Sequence, residues 1–324
     1  MTVMSDLTEW RALLVHRPLQ WLSPTLHRQL RSLVNRRRLL DLRHPAAFNE
    51  KLTWRCLHDR RELLADTCDK LAMKDIAGRL GRPSLRIPRT YWSGTDLAEL
   101  VDIDLPDRWV LKPNHRSGLV RFGAGPVSAA DVDELRRGTR GWLREHLASV
   151  EGEWAYSRAR RCFLVEERLP GETSPTDYKF FTFAGETRIV VVDSSRYGEH
   201  RRTVYTPEWQ RLDVRIDLPG GPAEPPPPLL ADMLDTARRL GTPYDFIRVD
   251  LYAVDGELWF GELTPYPGGG YGVVTPWSFE LWLGEPWVLP DPAARPAGAG
   301  EPGDRGDPGG PGDRGDPGGP VVTG

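Results

Sequence analysis

The sequence predicts an α+β fold with mostly antiparallel strand pairing. Three observations carry that reading. The stretch from Phe246 to Gly270, FIRVDLYAVDGELWFGELTPYPGGG, alternates apolar and polar residues about Asp255-Gly256, as a β-hairpin does. Residues 178–183 (YKFFTF) and 187–193 flank a turn at Ala184-Gly185, which makes a second strand pair. Elsewhere apolar residues recur at helical spacing, at 71–80 and again at 230–237.

Taken in order, residues 11 to 43 hold eight Arg and one acid, Asp41, among repeated Leu and Trp. This predicts basic amphipathic helices broken near Pro18 and Pro24. They read either as a solvated helical face covering the main domain or as a docking surface for an anionic polymer or lipid head group. From Thr67, TCDKLAMKDIAGRLG sets Leu71, Met73, Ile76, Ala77 and Leu80 on one helical stripe. Thr67 can cap its start and Gly81 suits its end. A strand at 108–113 (RWVLKP), a helix over Ala129 to Leu147 and a strand at 161–169 (RCFLVEERL) come next. After Pro-rich 222–228, the spacing of Leu230, Met233, Leu234 and Ala237 predicts a helix from Leu229 to Leu240.

Beyond about Pro290 the composition changes. GDRGDPGGP occurs at 303–311 and again at 312–320, with Gly at every third position. Six triplets are few for a collagen-like triple helix, so a disordered tail is expected. The chain therefore divides into a basic helical N-terminal region (1–64), a main α+β domain (65–289) and the tail (290–324).

The 324 residues are 39% hydrophobic, enough for one large domain or two modest ones. A net charge of −3 argues against a general nucleic-acid binder. No run approaches the length of a membrane span, and MTVMSDLTEW lacks a signal peptide's basic start and apolar core. Cys56, Cys68 and Cys162 are odd in number, without metal-ligand spacing. They read as buried thiols in a reducing compartment, which predicts a cytoplasmic protein.

The hairpin poses the chemical question, because Arg248, Asp250 and Glu262 stand among Ile247, Val249, Leu251, Trp259 and Phe260. Buried carboxylates are costly unless paired or bound to a metal. A two-residue turn at Asp255-Gly256 pairs Asp250 with Gly261 and sends Glu262 to the opposite face. A three-residue turn, Val254-Asp255-Gly256, shifts the register by one and returns both acids to one face. If the pair holds Mg²⁺, the turn is therefore three residues long or the hairpin is otherwise bulged. A salt bridge to Arg248 is the alternative. Lys112, ending the strand before NHRSGLVRFGAG, suits a polyphosphate. Lys70 opens a helix after Asp69, and Lys179 begins the next strand pair.

The order of FNEKLTWRCLHDRRELL (48–64), ADTCDKLAMK (65–74), WVLKPNH (109–115), DYKFFTFAGE (177–186) and RVDLYAVDGELWFGELT (248–264) resembles the ATP-grasp enzymes. It is most similar to the TupA-like branch associated with teichuronopeptide biosynthesis, and the likeness spans roughly residues 45–285. The resemblance implies an ATP-grasp fold, two α+β subdomains clamping ATP. Lys70 and Lys112 would contact the phosphates under a lid at 114–123. Glu166 to Leu169, with Glu167 between, would be the hinge that meets adenine, and Lys179 would reach the nucleotide. Asp250 and Glu262, with Thr264 as a weaker third ligand, would hold Mg²⁺. Arg248 would orient the transferred phosphate, and Arg201 and Arg202 would be anion contacts near the acceptor.

Three departures stand out. Thr264 occupies the place where many ATP-grasp enzymes have Asn, and Arg116 stands in the lid where Gly is expected. The chain before Lys70 is too short for the α/β domain that usually precedes the ATP site. The resemblance implies an ADP-forming carboxylate–amine ligase that joins an amino acid or amine to an acidic glycan, peptide polymer or natural-product intermediate. The alternatives are an ATP-grasp phosphotransferase acting on a hydroxyl and a nucleotide-binding scaffold without turnover. The expected partners are small-molecule or polymer substrates, with peripheral membrane association open to 11–43.

Overall fold

The computed structural model describes residues 23–144, 152–171, 175–194 and 200–291. The segment before Ser23, including Pro18, and the Gly/Pro-rich tail expected from 290 lie outside the described residues, apart from Pro290 and Asp291 themselves. Helices run α1 (Pro24–Arg36), α2 (Phe48–His58), α3 (Leu63–Asp66), α4 (Lys70–Leu80), α5 (Ala129–Gly138), α6 (Trp154–Arg158), α7 (Leu230–Gly241) and α8 (Trp277–Gly284).

A four-stranded sheet has the order β1-β4-β2-β3, from β1 (Thr90–Gly94), β2 (Trp109–Pro113), β3 (Arg121–Gly123) and β4 (Phe163–Glu167). A six-stranded sheet has the order β11-β10-β5-β6-β7-β8. Its strands are β5 (Asp177–Phe183), β6 (Glu186–Ser194), β7 (Arg201–Tyr205), β8 (Arg211–Leu212), β10 (Ile247–Val254) and β11 (Glu257–Thr264). The short pair β9 (Arg215–Ile216) and β12 (Val274–Thr275) stands apart. All named pairings are antiparallel, as the alternation in the sequence predicts.

Each sheet has its own core. Trp92, Trp109, Leu111, Phe163 and Val165 of the small sheet pack with Leu97, Leu100, Val132 and Leu135. In the large sheet, Phe180, Val249, Leu251 and Phe260 pack in a cluster that includes Met233, Ala237 and Leu240 of α7 and Met73 and Ile76 of α4. Phe48 of α2 joins that core, 5.7 Å from the Phe181 ring and 5.0 Å from Phe246. Fully buried Arg55 ties the hairpin's two ends, donating to Phe246 O at 2.9 Å and Pro265 O at 3.1 Å.

Several local expectations change. Asp69, not Thr67, caps α4, its carboxylate accepting from Leu71 N and Ala72 N. Thr67 instead donates its hydroxyl to Leu64 O. The helix expected over 129–147 stops at Gly138: Thr139 closes it onto Leu135 O, and Gly141 turns the chain at φ 84°. Residues 145–147 lie outside the described residues.

The hairpin turn has two residues, not three. Val254 pairs with Glu257 across Asp255-Gly256, both at positive φ, the twist that tight hairpins favour. The register is corrected farther along. Leu251 faces Phe260, but Asp250 faces Glu262, leaving Gly261 as the extra residue of a β-bulge. A Cβ on Gly261 would lie 2.7 Å from Asp250 O, so only glycine accommodates so close a backbone approach.

Candidate active site

The bulge puts Asp250 and Glu262 on one face of the large sheet, directly opposite each other. Lys179 of β5 is Asp250's partner on the other side. Arg248 clamps the pair: Nε donates to Asp250 Oδ1 at 2.7 Å, and one terminal nitrogen reaches Asp250 Oδ2 and Glu262 Oε1, both at 2.7 Å. Thr264 accepts from the same guanidinium at 3.0 Å and donates to Glu262 Oε1 at 3.0 Å. The salt bridge that stood as the alternative reading is therefore present, to both acids.

Lys179 is buried among three carboxylates. It bonds Asp177, lies 2.8 Å from Asp250 Oδ2, and sits 3.8 Å from Asp193 Oδ2. Asp177 and Asp193 face each other across β5 and β6, and Asp193 faces Arg202 of β7. Arg202 grips Asp193 at 2.6 and 3.0 Å. Burial alone would raise the carboxyls of Asp250 and Asp193. The cations beside them, Arg248 and Lys179 for Asp250 and Arg202 first for Asp193, outweigh it and hold both below the ordinary carboxylate range. Arg201, next along β7, lies on the opposite face by strand alternation and donates to Gly220 O at 3.3 Å. The structure thus brings Arg202 to the cluster and turns Arg201 elsewhere.

The small sheet supplies a second group. Buried Glu166 binds Lys112 through one oxygen and Lys74 through the other. Burial opposes its charge, but the two ammoniums prevail and hold its carboxyl down to about 2. Lys74 also donates to Pro88 O and Thr90 Oγ1, both at 2.9 Å. The side chain of Glu166 is thus spent on lysines, and the segment expected as the hinge continues with Glu167 and half-buried Leu169. Glu167 Oε2 accepts from Arg89 N at 3.0 Å. Lys70, first residue of α4, donates to Asn114 O at 3.4 Å and to Arg116 O, which ties the helix to the segment expected as a lid.

Lys70 is where the two groups meet. Burial, then the Lys112 charge, lower its ammonium to about 8, against the opposing pull of Glu262 from the large sheet and Glu166 from the small one. Burial pushes the Cys56 thiol up to about 11 and raises those of Cys68 and Cys162 as well.

Lys74, Asp177 and Asp193 escaped the sequence reading. Lys74 lies one helical turn from Lys70, and Asp177 shares the period-two pattern of DYK with Lys179. Those spacings were the available signals.

Among the described residues, no group of three or more His, Cys, Asp and Glu is disposed to hold a metal ion. Two opposed carboxylates and a hydroxyl nonetheless fit Mg²⁺ in kind, since that ion takes one or two carboxylates plus substrate phosphates. Both oxygens of Asp250 accept hydrogen bonds, two at Oδ2 and one at Oδ1, so Oδ1 keeps a lone pair with which to ligate. Glu262, with 34% of its side chain exposed, is the freer ligand.

Residues 50–288 match the family model described as TupA-like ATPgrasp. No curated protein matches the chain. Among solved structures, it is similar to an L-amino acid ligase from Bacillus licheniformis at 14% identity, covering 63% of this chain and 44% of that one, TM-score 0.40. It is also similar to a D-alanine–D-alanine ligase from Helicobacter pylori at 14% identity, covering 69% and 61%, TM-score 0.39. The ATP-grasp ligase PsnB complexed with minimal precursor aligns at 13% identity, covering 63% and 54%, TM-score 0.35. The chain spans roughly half the length of the first such structures.

Proposed function

The chain belongs to the TupA-like ATP-grasp family, and from that premise we propose that it is an ATP-dependent carboxylate–amine ligase. The observation that supports this reading is the pair of cation–carboxylate clusters, Arg248 and Lys179 on Asp250 and Glu262, and Lys74 and Lys112 on Glu166. In the proposed reaction a substrate carboxylate oxygen attacks the terminal phosphorus of ATP. The bond to the bridging oxygen breaks, ADP leaves and an acyl phosphate forms. An amine then attacks the acyl carbon, phosphate departs, and the nitrogen loses a proton to give the amide.

Lys70, Lys112 and Lys179 would bind the phosphates, and Arg248 would orient the transferring group. Asp250, Glu262 and Thr264 would hold Mg²⁺, which when bound neutralises charge on phosphate oxygens. Arg202, fixed by Asp193, would face the acceptor. The acceptor would be an acidic glycan, a peptide polymer or a natural-product intermediate.

The test incubates the protein with ATP, Mg²⁺ and pooled carboxylates and amines, then identifies the products. ADP with an amide is expected, and hydroxylamine should trap a hydroxamate from the acid alone. ADP with a phosphorylated hydroxyl would make the protein a phosphotransferase, and AMP with pyrophosphate would sink both. Glu262→Gln should cut turnover roughly a hundredfold, about 3 kcal/mol of lost charge stabilisation. Its melting temperature should barely change, because that side chain is one-third exposed. Asp250→Asn removes the charge shared by half-buried Arg248 and buried Lys179, leaving them Glu262 and Asp177, and should cost stability too.

A further inference from the structure

Helix α1 is docked with its polar side inward. His27, Arg28 and Ser32 are buried, while Leu26, Leu30, Leu33 and Val34 are 41–78% exposed. Those four lie at i, i+4, i+7 and i+8, one stripe of a helix. The inward face is fully committed. Arg28 donates to Gly269 O at 2.8 Å, Ser32 to Arg38 O at 2.8 Å, and Arg36 to Glu280 Oε1 at 2.9 Å. Arg31 lies 3.8 Å over the Tyr271 ring. Rolling the helix to hide its leucines would break all of these, so the apolar stripe faces outward by construction.

We propose that this stripe is a docking surface for an anionic lipid membrane. The helix would lie in the interface plane, its four apolar side chains at the acyl boundary and the neighbouring cations among the head groups. Charge favours this occupant. The helix carries no acid, and exposed Arg37, Arg38 and Arg43 follow it against the single acid Asp41. Area disfavours a second copy of the chain. Thirteen residues rise about 20 Å, and a stripe of roughly 10 Å width offers on the order of 200 Å² against the ~800 Å² per partner of a stable interface.

The preceding segment, outside the described residues, holds Trp10, Leu13, Leu14 and Trp21 beside Arg11 and Arg17, with the acids Asp6 and Glu9 ahead of them. Trp is enriched where protein meets the lipid interface. No helix among the described residues is long and apolar enough to cross a membrane, so the contact would be peripheral.

The test uses the full chain with vesicles of phosphatidylcholine, with or without phosphatidylglycerol. Binding should be at least about tenfold tighter when the anionic lipid is present. The double variant Leu30→Glu, Val34→Glu should lose it with unchanged melting temperature and circular dichroism. Unaltered vesicle binding by that variant, or none by the wild type, would overturn the proposal. A polarity-sensitive dye on Val34→Cys, in a Cys162→Ser background, identifies the occupant. A blue shift only with anionic vesicles is expected. A shift already present without lipid and independent of concentration would mean that the chain's own first residues cover the stripe. One that grows with protein concentration would mean a second copy, and one elicited by soluble polyglutamate but not by vesicles would mean an anionic polymer. Each of these would overturn the membrane assignment.

Discussion

Lys70 shows how one residue can carry the state of the whole site. Partial burial, and then the Lys112 charge, lower its ammonium to about 8 from an ordinary lysine value of 10.5. Between those values the unfolded chain holds the proton more tightly than the folded one, so this group's contribution to stability rises with pH from about 8 to 10.5. Phosphate binding has the opposite sign, because it needs the charged form. Nucleotide affinity measured by calorimetry should therefore fall as pH rises above about 8. In Lys70→Arg that fall should disappear, since a guanidinium stays protonated. An identical pH profile in both proteins would remove Lys70 from the phosphate contact. Glu166 follows the carboxylate rule instead, with stability present above the ordinary carboxylate range and lost as pH drops toward about 2.

At the scale of elements, the β10–β11 hairpin is decided by two glycines with different duties. Gly256, at φ 77°, serves the turn, and a Cβ there meets nothing within 4 Å. Gly261 serves the bulge, where a Cβ would crowd Asp250 O and the Tyr252 ring at 2.7 and 2.9 Å. Gly256→Ala should cost about 1–2 kcal/mol of backbone strain and leave nucleotide binding intact. Gly261→Ala should cost roughly 1–3 kcal/mol and also weaken nucleotide binding, because relieving the clash moves Glu262 relative to Asp250. Thermal melts and calorimetry on the two variants separate the cases. Equal effects on nucleotide binding would show that the bulge does not set the carboxylate pair.

At the scale of the molecule, two separate cores support two sheets, and each sheet carries its own cation–carboxylate cluster. The C-terminal repeat is rich in Gly and Pro, a composition expected to bury little apolar surface. Deleting residues 298–324 should leave the melting temperature and the catalytic rate unchanged. Loss of a trimer on deletion, seen by sedimentation, would show instead that the Gly-every-third register is used.

By itself the sequence determined most of the elements and supplied candidates for the site. Alternation about Asp255-Gly256, the helical stripes at 71–80 and 230–237, and the Lys, Arg, Asp and Glu that interrupt the strands are local patterns, set within a few residues of each position. The family likeness rests on the same short motifs in order. Only the tertiary structure decided the register, the partners and the orientation. A bulge at Gly261 leaves the alternation on either side intact, and it becomes defined only when β10 pairs with β11 and β5 together. Glu166 turns to Lys74 and Lys112, and Lys179 to Asp250, across separations of 54 to 92 residues, which no periodicity encodes. Helix α1 shows the limit most plainly: its amphipathic pattern leaves open which face is buried, and buried Arg28 with its bond to Gly269, 241 residues away, turns the apolar face outward. Hydrophobic spacing is a short-range signal, whereas the pairing of buried charge is settled only when distant segments meet.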